Sequence, residues 1–249
     1  MASDLRAPRA KRRHNPSKSP RARHKIIHRL VTNDLIRRVS YEEYRDKVHE
    51  IYSGPQGAVL AVCSLVSLHT PMGDYLLGQR KFDLGGVSRI LDIGSGAGQI
   101  ATHLLKYADP SCQITCCDLS HQMLRRARAR LKSERPTFVA ADMTRLPFAD
   151  ASFDCVTCGY VLEHLPDPRA GLAEISRVLT RGGRMLLMAT EDSFWGALTS
   201  RLWCCRTYNR AELFGICQNL GLAWRDELWF TQLHKFFRIG GICVSIEKI

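Results

Sequence analysis

The sequence predicts an α/β chain built on a doubly wound, mainly parallel sheet of seven strands, with a helical cap ahead of it. Three observations carry this. A short apolar run, Ile90-Leu91-Asp92-Ile93, precedes glycines at Gly94, Gly96 and Gly98, and then Ile100, Ala101, Leu104 and Leu105 recur at helical spacing. Strand and helix patterns alternate from there to Ala189. The last third holds a helix and two further strand patterns, which suit an antiparallel pair finishing the sheet.

Residues 1–23 are rich in Arg, Lys, Pro and Ser and nearly empty of large apolar groups, so a disordered basic tail is expected. Over 24–39, Ile26, Ile27, Leu30, Val31, Leu35, Ile36 and Val39 recur at helical spacing among Arg29, Arg37 and Arg38. This basic amphipathic helix suits either packing on its own domain or lying on a membrane surface. Ser40 with Glu43 forms a capping box for a helix to about Tyr52, which Gly54-Pro55 breaks. An apolar helix follows to about Leu68, and Thr70-Pro71 reads as an N-cap with Pro at the first helical position. Residues 24–80 are thus expected to form a helical extension, and 81–249 the main domain.

After the first strand and helix, Gln113 to Cys117 is the second strand, ending at Asp118. Ser120 caps a helix that turns Met123, Leu124 and Ala127 inward. Thr137 to Ala140 is the third strand and Phe153 to Cys158 the fourth. A helix over about Pro168 to Leu179 closes at Arg181-Gly182-Gly183, and Arg184 to Ala189 is the fifth strand. A helix runs from Asn209 to about Asn219. Leu222 to Leu233 and Gly241 to Glu247 read as two strands hinged around Gly240-Gly241.

The 249 residues suit one sizeable domain with an extension, and 45% hydrophobic residues are enough for a core. No run of about 18 apolar residues occurs, so no transmembrane segment is expected. The ten cysteines, four of them in the pairs Cys116-Cys117 and Cys204-Cys205, do not form a secreted disulfide framework, and a cytoplasmic protein is expected. The net charge of +12 belongs to one end. Residues 1–40 hold twelve Lys or Arg against Asp4 and Asp34, a net +10, and the other 209 residues carry +2. An anionic membrane or a nucleic acid is one partner reading for residues 1–40; a solubilising tail and a cleaved presequence are the others.

The glycine turn selects a ligand. Glycine lets the backbone turn tightly and a ligand approach without meeting a Cβ, and the next helix aims its first amides above the turn. A dinucleotide fingerprint needs its third glycine at position 99, which is Gln99. The turn reads G-x-G-x-G instead. Asp118, twenty residues after Gly98, is placed to accept hydrogen bonds from ribose hydroxyls. These residues resemble motif I and the acidic residue of class I S-adenosylmethionine (SAM) methyltransferases. A flavin or NAD enzyme, or a turn with no ligand, is the rival on these residues alone.

Further motifs follow in order: Asp118-Leu119-Ser120, Ala141-Asp142-Met143 with Leu146-Pro147-Phe148, Ser152-Phe153-Asp154, Leu162 to Pro168, and Gly182-Gly183. The set covers about residues 88–190 and resembles the quinone-biosynthesis-like (methyltransferase type 11) branch of that class. The resemblance implies a Rossmann-like methyltransferase fold, S-adenosyl-L-methionine as cofactor, and a small apolar or aromatic acceptor, quinone-precursor-like or lipid-like. It implies that Gly94, Gly96 and Gly98, with Ser95 among them, contact the methionine part, and that Asp92 meets its ammonium. Asp118, with Leu119 beside it, would hold the ribose. Asp142 would accept from the adenine amino group and Met143 flank the ring; a loop cap and core packing are the alternatives for these two.

Methyl transfer is an in-line displacement, so the protein mainly aligns the reactants and excludes water. A base is needed only if the acceptor loses a proton. The loop after the fourth strand, Gly159-Tyr160-Val161-Leu162-Glu163-His164, should face the methyl group. In quinone-precursor O-methyltransferases this region resembles E-x-x-E-H holding a divalent metal. Glu163 and His164 match, but Tyr160 replaces the first acid and is a poor ligand for a hard cation, so no metal is expected. His164, Glu163 and Tyr160 are the candidate catalytic residues; the rival is that Glu163-His164 only orders the loop.

Cys155-x-x-Cys158 reads as packing on a strand. Glu191-Asp192 is expected near the acceptor. Phe194, Trp195, Leu202, Trp203 and Tyr208 would line an apolar pocket or pack as a lid. Two other functions compete: an RNA or protein methyltransferase guided by the basic tail, and a non-catalytic SAM-binding subunit. Against the first, no Asn/Asp-Pro-Pro-Tyr/Phe motif is present.

Overall fold

Alternating apolar residues put two layers on one sheet. In β1 (Arg89–Ile93) Ile90 enters one layer and Leu91 and Ile93 the other. In β5 (Leu179–Ala189) Met185 and Leu187 face one side, Leu186 and Met188 the opposite one. The computed structural model of the chain describes residues 69–203, 205–229, 231–237 and 241–249. The expected tail, the amphipathic helix over 24–39 and the helices over 40–68 lie outside these.

Five more strands complete the sheet: β2 (Gln113–Asp118), β3 (Pro136–Ala140), β4 (Phe153–Gly159), β6 (Leu222–Glu227) and β7 (Ile242–Lys248). Their order is β3-β2-β1-β4-β5-β7-β6, and only β7 runs antiparallel, to β5 and β6. The chain leaves β1 toward β2 on one side and returns to β4 on the other, so a crevice opens at the carboxyl ends between them.

One face is covered by α1 (His69–Gly73), which continues as a π-helical turn over Asp74–Gly78, by α2 (Gln99–Tyr107) and by α3 (His121–Leu131). They bury Leu76, Leu77, Ala101, Leu104 and Leu124 against Ile90, Ile114 and Leu186. On the other face α4 (Pro168–Val178) and α6 (Arg210–Asn219) bury Leu172, Ile175, Leu213 and Ile216 against Leu91, Val156 and Leu187. Two helices, α5 (Phe194–Trp203) and α7 (Gln232–Phe237), complete the set among the described residues. Three helix starts, those of α3, α4 and α6, are set by side-chain caps. Ser120 Oγ accepts from the Met123 amide at 3.3 Å, Asp167 from Arg169 at 2.9 Å ahead of Pro168, and Asn209 from Ala211 and Glu212.

Four sequence expectations are corrected. His69 is already helical, so Thr70 is not an N-cap. The fourth helix ends at Val178 with extended Leu179 as its cap, not at the glycines. Gly182 does take a left-handed φ of 74°, but inside β5, which begins five residues earlier than expected by pairing Leu179 with Phe153 across a bulge. The expected strand over Leu222–Leu233 stops at Glu227, and α7 follows.

The loop between β3 and β4 is fastened to α4. Arg177 donates to the carbonyls of Phe148 (2.7 Å) and Leu146 (3.0 Å) and pairs with Glu174, whose carboxylate takes the Leu146 amide at 2.7 Å. Among the described residues no helix is long and apolar enough to cross a membrane.

Candidate active site

The parallel register Ile93↔Cys117 sets the glycine turn beside the end of β2. Gly94, Gly96 and Gly98 have φ of 64°, 52° and 83°, a region that costs other residues strain. At Gly94 there is a second constraint: a Cβ would overlap the Val161 side chain of the β4 loop. The Ser95 amide donates to the Cys117 carbonyl at 3.0 Å and its hydroxyl reaches the same oxygen at 3.4 Å, so Ser95 staples the turn to β2.

Asp118 closes the turn from the far side. Its Oδ2 accepts from the Gly96 amide at 2.9 Å and its Oδ1 from the Ser120 amide at 2.8 Å. Burial raises its pKa, and these two bonds oppose the shift. Leu119 beside it is exposed. Asp92 is fully buried. Its Oδ1 accepts from Thr157 Oγ1 at 2.6 Å, while Oδ2 is buried with no hydrogen-bond partner. Burial lifts its pKa to about 7, the Thr157 bond working against this and Asp118 adding to it.

Asp142 Oδ1 accepts from the amide and hydroxyl of Thr144, both at 2.8 Å, so it caps the turn after β3. Met143 is buried in the layer under α4, its methyl group 2.7 Å from where a Cβ at Gly171 would stand.

The loop after β4 is locked in an unusual conformation. Tyr160 has φ 56°, rare for a bulky residue, and its amide donates to the Met188 carbonyl at 2.8 Å. Leu162–His164 forms a 3-10 turn. Glu163 is buried, and its Oε1 accepts from the Thr190 amide (2.6 Å) and hydroxyl (2.8 Å) at the end of β5. Its Oε2 is buried without a partner, and burial pushes its pKa up to about 7. The Tyr208 hydroxyl donates to the Leu162 carbonyl, and the Arg206 amide to the Glu163 carbonyl at 3.3 Å. Burial lowers His164 to about 4 and raises the Tyr160 phenol. At neutral pH the loop therefore offers a neutral imidazole of weak basicity and a protonated phenol. Among the described residues no group of three or more His, Cys, Asp or Glu could hold a metal.

Glu191 is held in an ion pair at the end of β5. It is buried against Arg210, with Nε–Oε1 and Nη2–Oε2 both 3.0 Å. The same guanidinium lies 3.0 Å from Glu227, donates to the Gly241 carbonyl at 3.3 Å and stacks 5.0 Å over the Trp229 ring. Tyr208 is buried, whereas Phe194 and Trp195 are exposed. Cys155 and Cys158 belong to opposite layers, and burial raises both thiols, so neither is a reactive thiolate. Sequence reasoning missed Thr157, Thr190 and Arg210. Thr157 was within reach of it, since the parallel pairing of β1 and β4 puts Thr157 opposite Asp92; the other two depend on strand ends far apart in the chain.

A family model described as a methyltransferase domain (methyltransferase type 11) matches residues 91–187. The chain is 31% identical over 193 residues to a ubiquinone/menaquinone biosynthesis C-methyltransferase (UbiE) of Pseudomonas fluorescens, across 74% of this chain and 73% of that protein. This chain belongs to the class I SAM-dependent methyltransferases. A UbiE of Desulfotalea psychrophila is 38% identical over 105 residues, and a demethylmenaquinone methyltransferase of Deinococcus radiodurans 41% over 102. The matches span 42% of the length of each of these two relatives. The fold is that of a SAM-dependent methyltransferase from Mesorhizobium loti (TM-score 0.60, 17% identity, 72% of this chain and 99% of that one). It is also that of a geranyl diphosphate C-methyltransferase from Streptomyces coelicolor solved with S-adenosyl-L-homocysteine (TM-score 0.59, 13% identity, 72% and 76%).

The residues fit the cofactor of this family. The left-handed glycine cradle has no room for a Cβ at Gly94, and an orphaned carboxylate oxygen of Asp92 is buried beside it. A cationic ammonium is the kind of group that offsets such a buried oxygen.

Proposed function

We infer that this methyltransferase places the methyl group on a carbon atom of a small, apolar aromatic acceptor of the quinone-precursor kind. The observation that carries the reading is the 193-residue similarity to a ubiquinone/menaquinone biosynthesis C-methyltransferase. Bound SAM would supply a sulfonium methyl group that is already reactive. The rest falls to the chain. Asp118 would hold the ribose hydroxyls, Asp92 the ammonium and Asp142 the adenine amino group. The glycine turn, ahead of the N-terminus of α2, would carry the methionine part, with Ser95 keeping the turn on β2.

Val161 over Gly94 and the buried Glu163–Thr190 contact fix the loop, which would then help keep water from the reacting atoms. Glu163 then acts by holding the loop. His164, with its basicity cut by burial, and Tyr160, with its proton held, act by shaping the acceptor's surroundings. Catalysis by alignment sets a limit on mutants. His164→Ala should lower kcat by less than about tenfold, whereas loss of a general base costs about 10²–10⁴-fold. Steady-state rates across pH check this.

The direct experiment supplies methyl-labelled SAM with quinone-precursor, phenol, lipid and RNA acceptors. Carbon-linked label in the aromatic acceptors is the expected result. Label in RNA would favour the reading in which the basic residues 1–40 guide the enzyme to nucleic acid. SAM binding with no turnover on any acceptor would leave a non-catalytic subunit.

A further inference from the structure

Two helices at the carboxyl edge of the sheet carry large apolar side chains into solvent. On α5, Phe194 is 72%, Trp195 43% and Leu198 57% exposed; on α7, Leu233 is 67% and Phe236 81% exposed. The spacings are helical. Phe194 and Leu198 are four residues apart, and Leu233 and Phe236 three, so each set lies on one face of its helix. Isolated exposed hydrophobics are ordinary, but paired stripes at one edge of a molecule mark an interaction site.

Topology brings both stripes to the edge that bears the acceptor loop. β4 ends at Gly159, opposite Met188 near the end of β5. Helix α5 leaves the end of β5, and α7 lies between the end of β6 and the start of β7, which pairs Ile242 with Ala189. One node anchors both departures. Glu191, just before α5, holds Arg210, which is stacked on Trp229 ahead of α7 and bonded to the Gly241 carbonyl behind it. Gly196 sits against the Glu191 carbonyl so closely that a Cβ would collide with it.

We propose that the α5–α7 edge is a docking surface for an anionic lipid bilayer, which presents the acceptor loop to the membrane interface. The chemistry on the page selects this occupant. Phe, Trp and Leu are the side chains that enter the boundary between headgroups and acyl chains. Neither helix contains an acidic residue, and exposed Lys235 stands between Leu233 and Phe236. The exposed Lys235 ammonium is attracted by an anionic headgroup layer while the apolar side chains beside it insert. The surface is distinct from the cofactor cradle, so its failure would leave the methyltransferase reading untouched.

The test is vesicle flotation of the full chain with phosphatidylcholine, alone and mixed with phosphatidylglycerol, at low and high salt. High salt screens the contribution of the basic residues and leaves apolar insertion. Wild type should float with mixed vesicles and retain part of that binding at high salt. The pair Phe194→Ser with Phe236→Ser should reduce retained binding by roughly tenfold or more while SAM affinity is unchanged. Leu198→Ser with Leu233→Ser is a second pair, used should the first misfold, and Lys235→Glu should weaken binding only to the mixed vesicles. Equal flotation of wild type and either folded pair overturns the proposal, as does wild type that floats with neither vesicle. Sedimentation of the same proteins covers the other occupant: a wild-type dimer that the substitutions dissociate, without vesicle binding, would assign the face to a second copy and also overturn it.

Discussion

Asp118 holds two amides from two different segments, Gly96 and Ser120, and each carboxylate oxygen keeps a lone pair for a ligand. Asp118→Ala should therefore weaken SAM binding by about 1.5–3 kcal/mol, the scale of hydrogen bonds to a charged group, in a protein that still folds. Calorimetry with SAM checks this; unchanged affinity would remove Asp118 from the site. Glu163 makes a different prediction because its folded pKa, about 7, lies above the ordinary 4.5. The folded state then binds a proton that the unfolded state has released, so this group's contribution is full below pH 4.5 and is lost as pH rises to 7. Glu163→Gln keeps an oxygen for Thr190 and removes the titration. Relative to wild type it should gain about 3 kcal/mol between those limits and level off above them, read as the difference in denaturant midpoints across pH. His164 runs the other way: its lowered pKa gives stability that is present above its usual 6.5 and lost as pH falls toward 4.

The glycine turn and the β4 loop are one unit, because Val161 occupies the space that a side chain at Gly94 would need. Gly94→Ala combines that overlap with a left-handed backbone and should cost about 2–4 kcal/mol; adding Val161→Ala should restore the part due to crowding and leave about 1–2 kcal/mol of backbone strain. Thermal or denaturant unfolding of both variants separates the two. The turn itself was legible in the sequence. Glycine spacing, the non-glycine at Gln99 and the distance to Asp118 are local signals, and the structure has left-handed glycines there with Asp118 bonded to Gly96. The Glu163–Thr190 contact was not, since it joins residues 27 apart through the register of two parallel strands. Leu222–Leu233 misled for another reason. Leu228, Trp229 and Leu233 satisfy a strand and a helix about equally well, and only the pairing of Glu227 with Val244 shows where the strand stops. Leu179–Gly183 hid in the same way. Its two glycines announce a turn, yet the segment pairs with Phe153 and is strand.

At the scale of the whole molecule, charge and core are separate. The described core sets Leu, Ile, Val, Met and Cys on both faces of the sheet, while most of the net charge lies within residues 1–40. Residues 1–23 hold almost no core-forming group, so a variant lacking them should keep its thermal midpoint and SAM affinity, and lose salt-sensitive binding to anionic vesicles or RNA if that stretch recruits the enzyme. A drop in SAM affinity would place the tail in the active site. The strand order has a consequence for synthesis. β7 comes after β6 in the chain but lies between β6 and β5. While the ribosome is still making the chain, the edge of β5 stands bare until Ile242–Lys248 emerge, with its row of amides and carbonyls open to any passing strand. Vectorial folding can thus complete the glycine turn early, but the sheet beside the β4 loop closes only when those residues arrive. A nascent chain stalled before Ile242 should be captured by chaperones that bind bare strand edges, and one released after Lys248 should not.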